Sequence, residues 1–195
     1  KALDRRVPIV PIEGFLSIGD LLQSGFYGLR RFFARVSIQG PLKIDGLDVS
    51  VLVRRSFSEA CRSGNSFLHH WIYLAGLRIA KNANLEKLIY PYENRPWEKM
   101  LLLAIRRVQP QARAVGYQHA AITPSHLHFF LGKGETSVTP LPDLILTTGP
   151  VVRDWLEKEG GYPTGRVQEA CALRFSDANG SPDKSPVIGA TKRLL

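Results

Sequence analysis

The alternation of short apolar segments with helical segments over residues 86–175 constrains the fold more than any other feature of the chain. The strand-like segments KLIYPYE, ARAVGYQHA, PDLILTTG and RVQEACALRF alternate with the helix-like segments RPWEKMLLLAIRRV and PVVRDWLEKEGG. This order predicts a parallel, doubly wound α/β sheet flanked by helices. Because the strands are apolar throughout, we expect both faces of the sheet to be covered.

Residues 1–85 are predicted to add helices to the same domain. One helix begins at a cap, Ser17 or Asp20, and runs to about residue 34, and two more cover about 49–62 and 66–83. On the first helix, several apolar side chains fall near one face, which we interpret as a core face: Leu21, Leu22, Phe26, Leu29 and Phe33. Residues 176–195 are rich in Ser, Pro, Gly and Asp and are expected to be a linker or tail.

The charge balance favours an anionic partner. Lysine and arginine total 26 against 17 acidic residues, a formal net charge of +9, which suits nucleic acid, an anionic membrane face or a phosphorylated substrate. Solubility alone is the alternative. Arg30, Arg31 and Arg35 likewise have two interpretations, either as cations that complement the end of a helix or as ligands for phosphates or membrane.

Cysteine content and hydropathy indicate a cytoplasmic protein. Cys61 and Cys171 are too few for a disulfide framework and lack metal-ligand spacing, so we expect two small buried side chains in a reducing compartment. No apolar run reaches the roughly 18 to 20 residues that span a bilayer, and no signal peptide is visible. The first residue is not methionine, and we expect the chain to be part of a longer protein whose beginning could carry a targeting segment.

Three strand-to-helix junctions are predicted to form a binding site, because ligands of open α/β sheets bind outside the carboxyl ends of the strands. The first junction, YPYENRPWE, places Glu93 outside the following helix, where its carboxylate can accept a proton or orient a hydroxyl. A bond from Glu93 to nearby backbone amides is the equal alternative. Glu98 lies in the first helical turn, and we expect it to stabilise the helix start by a few tenths to about 1 kcal/mol.

The other two junctions add a histidine and a turn. His119 follows Gly116 and Gln118, and a neutral imidazole there can act as a base or donate to a substrate oxygen. Gly149 is expected to let backbone amides approach a ligand, with Thr147 and Thr148 as hydroxyl donors. His126 and His128 would share a face of an extended segment, but no nearby acid completes a metal site, so no metal is predicted.

The junction motifs carry a family resemblance. The Tyr-Glu-Asn-x-Pro-Trp-Glu box, the Gly-Tyr-Gln-His box, the Pro-Asp strand with its Thr-Gly turn and the Leu-Arg ending together resemble bacterial surface-carbohydrate biosynthesis proteins with a GT-B glycosyltransferase fold, over about residues 86–175. The resemblance implies a Rossmann-like N-terminal half that receives the acceptor. It also implies a C-terminal half, absent from this chain, that carries the nucleotide-sugar site.

The expected function is therefore transfer of a sugar from a nucleotide-activated donor to a lipopolysaccharide or capsule acceptor, without a metal or other cofactor. Glu93 and His119 are the catalytic candidates, and the residues expected to contact substrate are Tyr92, Asn94, Gln118, Thr148 and Gly149. Expected partners are the nucleotide sugar, a saccharide or lipid-linked acceptor and an anionic surface of the inner membrane. Two alternatives stay open, a sugar-nucleotide epimerase and a basic non-catalytic module that binds nucleic acid or a partner, although nucleic acid is not expected.

Overall fold

The computed structural model describes residues 9–35, 37, 39–123 and 125–170. The first half contains three helices, α1 (Ile18–Phe32), α2 (Ser50–Arg62) and α3 (Asn65–Asn82), and a hairpin of β1 (Lys43–Ile44) and β2 (Leu47–Asp48) lies between α1 and α2. The second half runs through β3 (Lys87–Pro91), α4 (Pro96–Val108), β4 (Arg113–Tyr117), β5 (Leu144–Thr147), α5 (Pro150–Lys158) and β6 (Val167–Glu169). The predicted α/β class and the extra N-terminal helices are confirmed.

Strands β3 to β6 form a four-stranded parallel sheet in the order β3-β4-β5-β6. The strands follow chain order, so each described strand is added on the same side of the one before it. A doubly wound sheet changes its direction of growth partway, and the described strands show no such change. Pro91 pairs with Tyr117, and Tyr117 pairs with Leu146. This register brings the carboxyl ends of β3, β4 and β5 to one edge. The predicted Leu-Arg ending and the 176–195 tail lie outside the described residues.

One face of the sheet carries the main core. On that face Tyr90 and Ile145 pack in one buried cluster with Leu102 of α4 and Leu156 of α5. The opposite face is covered unevenly, since Val115 of β4 is buried there whereas Ile89 of the edge strand β3 is 68% exposed. The expectation that both faces would be covered therefore fails at the edge strand.

Parallel strands are usually connected by a crossover helix, but the connection from β4 to β5 is irregular. Residues 118–143 contain only two short 3₁₀ turns among their described residues, Leu127–Phe129 and Glu135–Ser137. Phe129 and Leu141 are both buried in the main core cluster. The predicted extended segment around His126 and His128 is wrong, because a 3₁₀ turn begins there to bury Phe129.

Helix α3 lies against α4 through small side chains. A Cβ placed on Gly76 would come within 2.8 Å of the Cβ of Ala104 and 3.1 Å of a methyl carbon of Leu101. Contact this close requires a glycine at residue 76. The N-terminal helices are thus attached to the α/β part by tight packing of α3 on α4.

Helix α1 packs on α3 through its polar face, contrary to the interpretation that its apolar face lies in a core. Asp20, which completes the capping box with Ser17, forms an ion pair with Arg78 of α3 at 3.0 Å. The Oγ of Ser24 lies 3.1 Å from Nδ1 of His70, whose ring stacks on Tyr27. Among the described helices, none has both the length and the apolar character to cross a bilayer.

Two mid-helix glycines test the α3–α4 contact. We expect Gly76→Ala to destabilise the protein by about 1 to 3 kcal/mol, because the new methyl group overpacks the helix interface. Gly25→Ala in α1 is the matched control, since nothing lies within 4 Å of its added Cβ, and it should stabilise by up to about 1 kcal/mol through helix propensity. Urea unfolding followed by circular dichroism measures both. Stabilisation by both substitutions would contradict the proposed close packing.

Candidate active site at the carboxyl edge of the sheet

A buried carboxylate organises the loop that follows β3. The side chain of Glu98, at the third position of α4, is only 1% exposed. Its Oε1 accepts hydrogen bonds from the backbone N–H groups of Glu93 at 2.9 Å and Arg95 at 3.2 Å, and its Oε2 accepts one from Asn94 at 3.1 Å. Glu98 is thus structural as predicted, but it acts by binding three loop amides rather than by the helix dipole alone.

Burial also changes the acidity of Glu98. Loss of hydration raises the pKa of this carboxyl to about 7, against the opposing effect of the hydrogen bonds from Arg95, Glu93 and Asn94. The charge of the nearby Glu93 adds to the increase. The loop is therefore held by a group whose ionisation costs free energy near neutral pH.

The same loop directs Glu93 away from the protein interior. Asn94 adopts a left-handed backbone conformation with φ of 54°, and its buried side chain donates a hydrogen bond to the carbonyl oxygen of His128 at 2.6 Å. The side chain of Glu93 is 38% exposed and lies 3.6 Å from Nε of Arg95. Asn94 thus braces the loop, and Glu93 is the accessible carboxylate.

Tyr92 belongs to the core under the edge. Its side chain is buried, and its hydroxyl lies 2.9 Å from the hydroxyl of Tyr162. Gly116 on β4 makes room for this ring, because a Cβ there would approach Tyr92 to 2.9 Å. The structure therefore places the predicted substrate residue Tyr92 in the packing beneath the loop.

Gln118 ties the second junction to the third. Its fully buried amide donates to the carbonyl of Ala120, and its Oε1 lies 3.4 Å from both the backbone nitrogen and the hydroxyl of Thr148. Thr147 is also fully buried, and its hydroxyl donates to the carbonyl of Gly149 at 3.0 Å. The Thr147 hydroxyl is thus used internally, contrary to its predicted role as a ligand donor.

Buried polar side chains concentrate at this edge. In the described α/β part they are Asn94, Glu98, Gln118 and Thr147. Each satisfies backbone groups of the strand-to-helix loops. The edge is thus a buried, hydrogen-bonded polar framework that supports more exposed groups above it.

The exposed groups include His119 and the third junction. His119 follows β4 at this edge and is exposed. Gly149 caps α5 in extended backbone, with φ of 168° and space for a side chain, so no backbone strain requires a glycine there. Glu93, His119 and Gly149 follow three neighbouring strands at one edge, as their positions in the sequence predict.

His128 also lies at this edge, although the sequence did not identify it as a candidate catalytic or binding residue. Burial lowers its pKa first, the charges of Arg95 and His126 lower it further, and the charge of Glu93 opposes them. His128 thus lies within electrostatic range of Glu93 and Arg95. No local pattern signals this proximity, because it depends on how residues 118–143 fold back over the loop.

A cleft of about 280 Å³ lies beside the start of α4. Arg31 from α1, His69 from α3 and Lys99 from α4 contribute its polar lining. Lys99 lies 3.7 Å from Glu135, and burial lowers the pKa of His69. The cleft therefore presents Arg31, Lys99 with Glu135 as its ion-pair partner, and a histidine that favours its neutral form. The two cationic side chains could contact an anionic ligand.

The described residues contain no cluster of three or more histidine, cysteine or acidic side chains that could hold a metal ion. Comparisons of the chain with models of protein families, with curated proteins and with solved structures found no match.

Removal of the Glu98 carboxylate tests the loop framework. We expect Glu98→Ala to destabilise the protein by about 2 kcal/mol or more, because three hydrogen bonds to the carboxyl group are lost and partly buried amides are left without an acceptor. Glu93→Ala in the same loop should cost less than about 0.5 kcal/mol, as expected for a substitution outside such a network. Urea unfolding measures both, and equal costs would show that Glu98 does not hold the loop.

The raised pKa predicts a pH dependence. Because the folded protein binds the Glu98 proton more tightly than the unfolded chain, this contribution to stability is present below about pH 4.5 and is lost as the pH rises toward 7. Relative to Glu98→Gln, the wild type should lose about 2 to 3 kcal/mol between pH 5 and pH 8. Urea unfolding at both pH values measures this difference. A difference that grows in favour of the wild type would mean that the three amides, and not burial, control the pKa.

Proposed function

We propose that this chain is the acceptor-side domain of a GT-B glycosyltransferase that builds a bacterial surface polysaccharide. The observation that carries the proposal is the accessible carboxylate of Glu93, held at the carboxyl edge of a parallel sheet by a loop whose amides bind the buried Glu98. Such an edge is where open α/β sheets bind ligands. The motif resemblance over residues 86–175 supplies the reaction class.

In the proposed reaction an acceptor hydroxyl attacks the anomeric carbon of a nucleotide-activated sugar. A new carbon–oxygen bond forms to the acceptor, the bond from the anomeric carbon to the phosphate oxygen breaks, and the nucleotide leaves with its phosphates. The Glu93 carboxylate takes the proton of the acceptor hydroxyl or orients that hydroxyl. His119 is the second candidate for this role, since it is exposed at the same edge.

The cleft beside α4 supports an acceptor that carries phosphate. Arg31 and Lys99 line it next to Pro96, the residue that starts α4 after the Glu93 loop. Cationic side chains form charge-assisted hydrogen bonds with phosphate oxygens. A lipid-linked saccharide phosphate could therefore place its phosphate in this cleft and its sugar near Glu93. The donor nucleotide sugar is assigned to a C-terminal half that would follow this chain.

A conservative pair of substitutions tests the role of Glu93. In the native protein that contains this chain, Glu93→Gln should reduce turnover by about 10² to 10⁴, the range for loss of a positioned acid or base. Glu86→Gln is the matched control, because Glu86 is exposed just before β3, at the opposite edge of the sheet. The assay measures transfer of sugar from nucleotide-sugar donors to a lipid-linked acceptor. Unchanged turnover in Glu93→Gln together with loss in His119→Ala would move the catalytic role to His119.

Ligand titration of the 195-residue chain tests the acceptor-side assignment. Phosphorylated oligosaccharides should shift the amide NMR resonances of the loops after β3, β4 and β5, and Arg31→Ala should weaken this binding. Nucleotide sugars should leave the resonances unchanged, because their site is assigned to the other half. Strong nucleotide binding at this edge without saccharide binding would contradict the assignment and favour the epimerase alternative.

A further inference from the structure

Helix α1 presents its apolar side chains to solvent. Ile18, Leu22, Phe26 and Phe33 are each about seven-tenths exposed or more, at 78%, 71%, 69% and 72%, and Leu29 is also exposed. Their spacing of three or four residues puts them on one side of the helix, over its whole length. We call these five residues the α1 stripe.

The orientation of α1 is fixed by polar contacts on its other side. The Asp20–Arg78 ion pair, the Ser24–His70 hydrogen bond and the contact of Gly28 with Phe67 all face α3. Rotating the stripe into the protein would break these contacts. Exposure of the stripe therefore follows from the way α1 is attached.

Arginines surround the end of the α1 stripe. A cleft of about 410 Å³ between the end of α1 and α2 is lined by Phe32, Phe33 and Phe57 together with Arg35, Arg54 and Arg62, and no acidic residue lines it. The guanidinium of Arg62 lies 5.8 Å from the ring centre of Phe32. The aromatic ring thus holds a cation beside the stripe.

These cations are available for an external anion. Among the described residues, none of Arg35, Arg54 and Arg62 has a carboxylate within 4.0 Å. Arg54 does interact with Asp48, whose pKa is lowered mainly by the hydrogen bonds from Ser50 and to a smaller extent by Arg54. The cleft therefore carries an excess of positive charge.

We propose that the α1 stripe and the arginine-lined cleft form a surface that docks onto an anionic lipid bilayer. The stripe would enter the boundary between headgroups and acyl chains, and Arg35, Arg54 and Arg62 would bind lipid phosphates. An apolar face bordered by cations is what an interfacial helix presents to such a membrane. This inference does not depend on the transferase activity.

Charge favours a bilayer over a second copy of the chain. In a two-fold dimer through the stripe, both copies would bring the cations that border it, Arg30 and Arg35, to the same interface. From Leu21 to Gln39 the sequence contains three arginines and no acidic residue to neutralise them. Like charges placed this way oppose association, whereas an anionic membrane neutralises them.

Vesicle flotation of the 195-residue chain tests the proposal. The chain should bind vesicles of phosphatidylcholine with about one-third phosphatidylglycerol, and bind at least about tenfold less to pure phosphatidylcholine. Leu22→Ser/Phe26→Ser and, separately, Arg35→Glu/Arg62→Glu should each reduce the partition coefficient for the anionic vesicles by about tenfold or more. Both pairs are exposed, so the unfolding midpoint should stay close to that of the wild type.

Matched controls come from the α/β part of the chain. Leu127→Ser/Val151→Ser removes two apolar side chains that are exposed to the same degree, and Lys87→Glu/Arg113→Glu reverses two exposed cations at the start of β3 and β4. Each control double variant should change the partition coefficient by no more than about twofold. If the controls lose as much binding as the α1 variants, binding depends only on net charge or on overall surface hydrophobicity, and the proposal fails.

Hydrogen exchange on the unmodified chain gives a reading that needs no variant. Anionic vesicles should slow amide exchange in α1 and leave the exchange of β4 unchanged. The proposal is overturned by unchanged exchange in α1, or by a dimer that dissociates in Leu22→Ser/Phe26→Ser. It is also overturned by binding to single-stranded DNA that exceeds binding to the vesicles and is lost in the same α1 variants.

Discussion

The interaction on which the rest of the site depends is the binding of three consecutive loop amides by the buried carboxylate of Glu98. A loop between a strand and a helix has backbone donors with no partner inside either element. Glu98 satisfies three of them at once, and this fixes the path of residues 92–95. Glu93 is then directed outward because the adjacent side chains, those of Tyr92 and Asn94, are committed to the interior.

At the neighbouring junctions, buried amide and hydroxyl side chains bind loop backbone groups, as the carboxylate of Glu98 does after β3. Gln118 reaches from the loop after β4 to Thr148 after β5, and Asn94 reaches from the loop after β3 to the carbonyl of His128. Each loop is thus tied to another part of the chain by a buried side chain. A site of this kind holds its exposed groups in position before a ligand binds, which reduces the ordering that binding requires.

The N-terminal helices connect this edge to the molecular surface. Helix α1 contributes Arg31 to the cleft beside α4 and carries the α1 stripe on its outer side. If the stripe rests on a bilayer, the cleft on the other side of the same helix lies close to the membrane surface. An acceptor carried on a lipid would then be presented near Glu93. The proposed docking surface and the proposed acceptor site are thus compatible in their arrangement, although each is tested separately.

The sequence by itself determined the α/β class, the approximate positions of the α-helices and of the four parallel strands, and the edge of the sheet at which Glu93, His119 and Gly149 lie. Hydrophobic periodicity and turn residues are properties of short segments, so they can be recognised in the sequence. The alternation of strands and helices then implies parallel strands, whose carboxyl ends form the edge where ligands bind. The sequence did not reveal that Glu98 is buried or that His128 lies near Glu93, because both depend on contacts between distant segments. It also misassigned the apolar face of α1, since periodicity shows that a helix has an apolar side but not what that side contacts. Only the tertiary structure decided this, through the Asp20–Arg78 ion pair and the Ser24–His70 contact that turn the polar side of α1 toward α3.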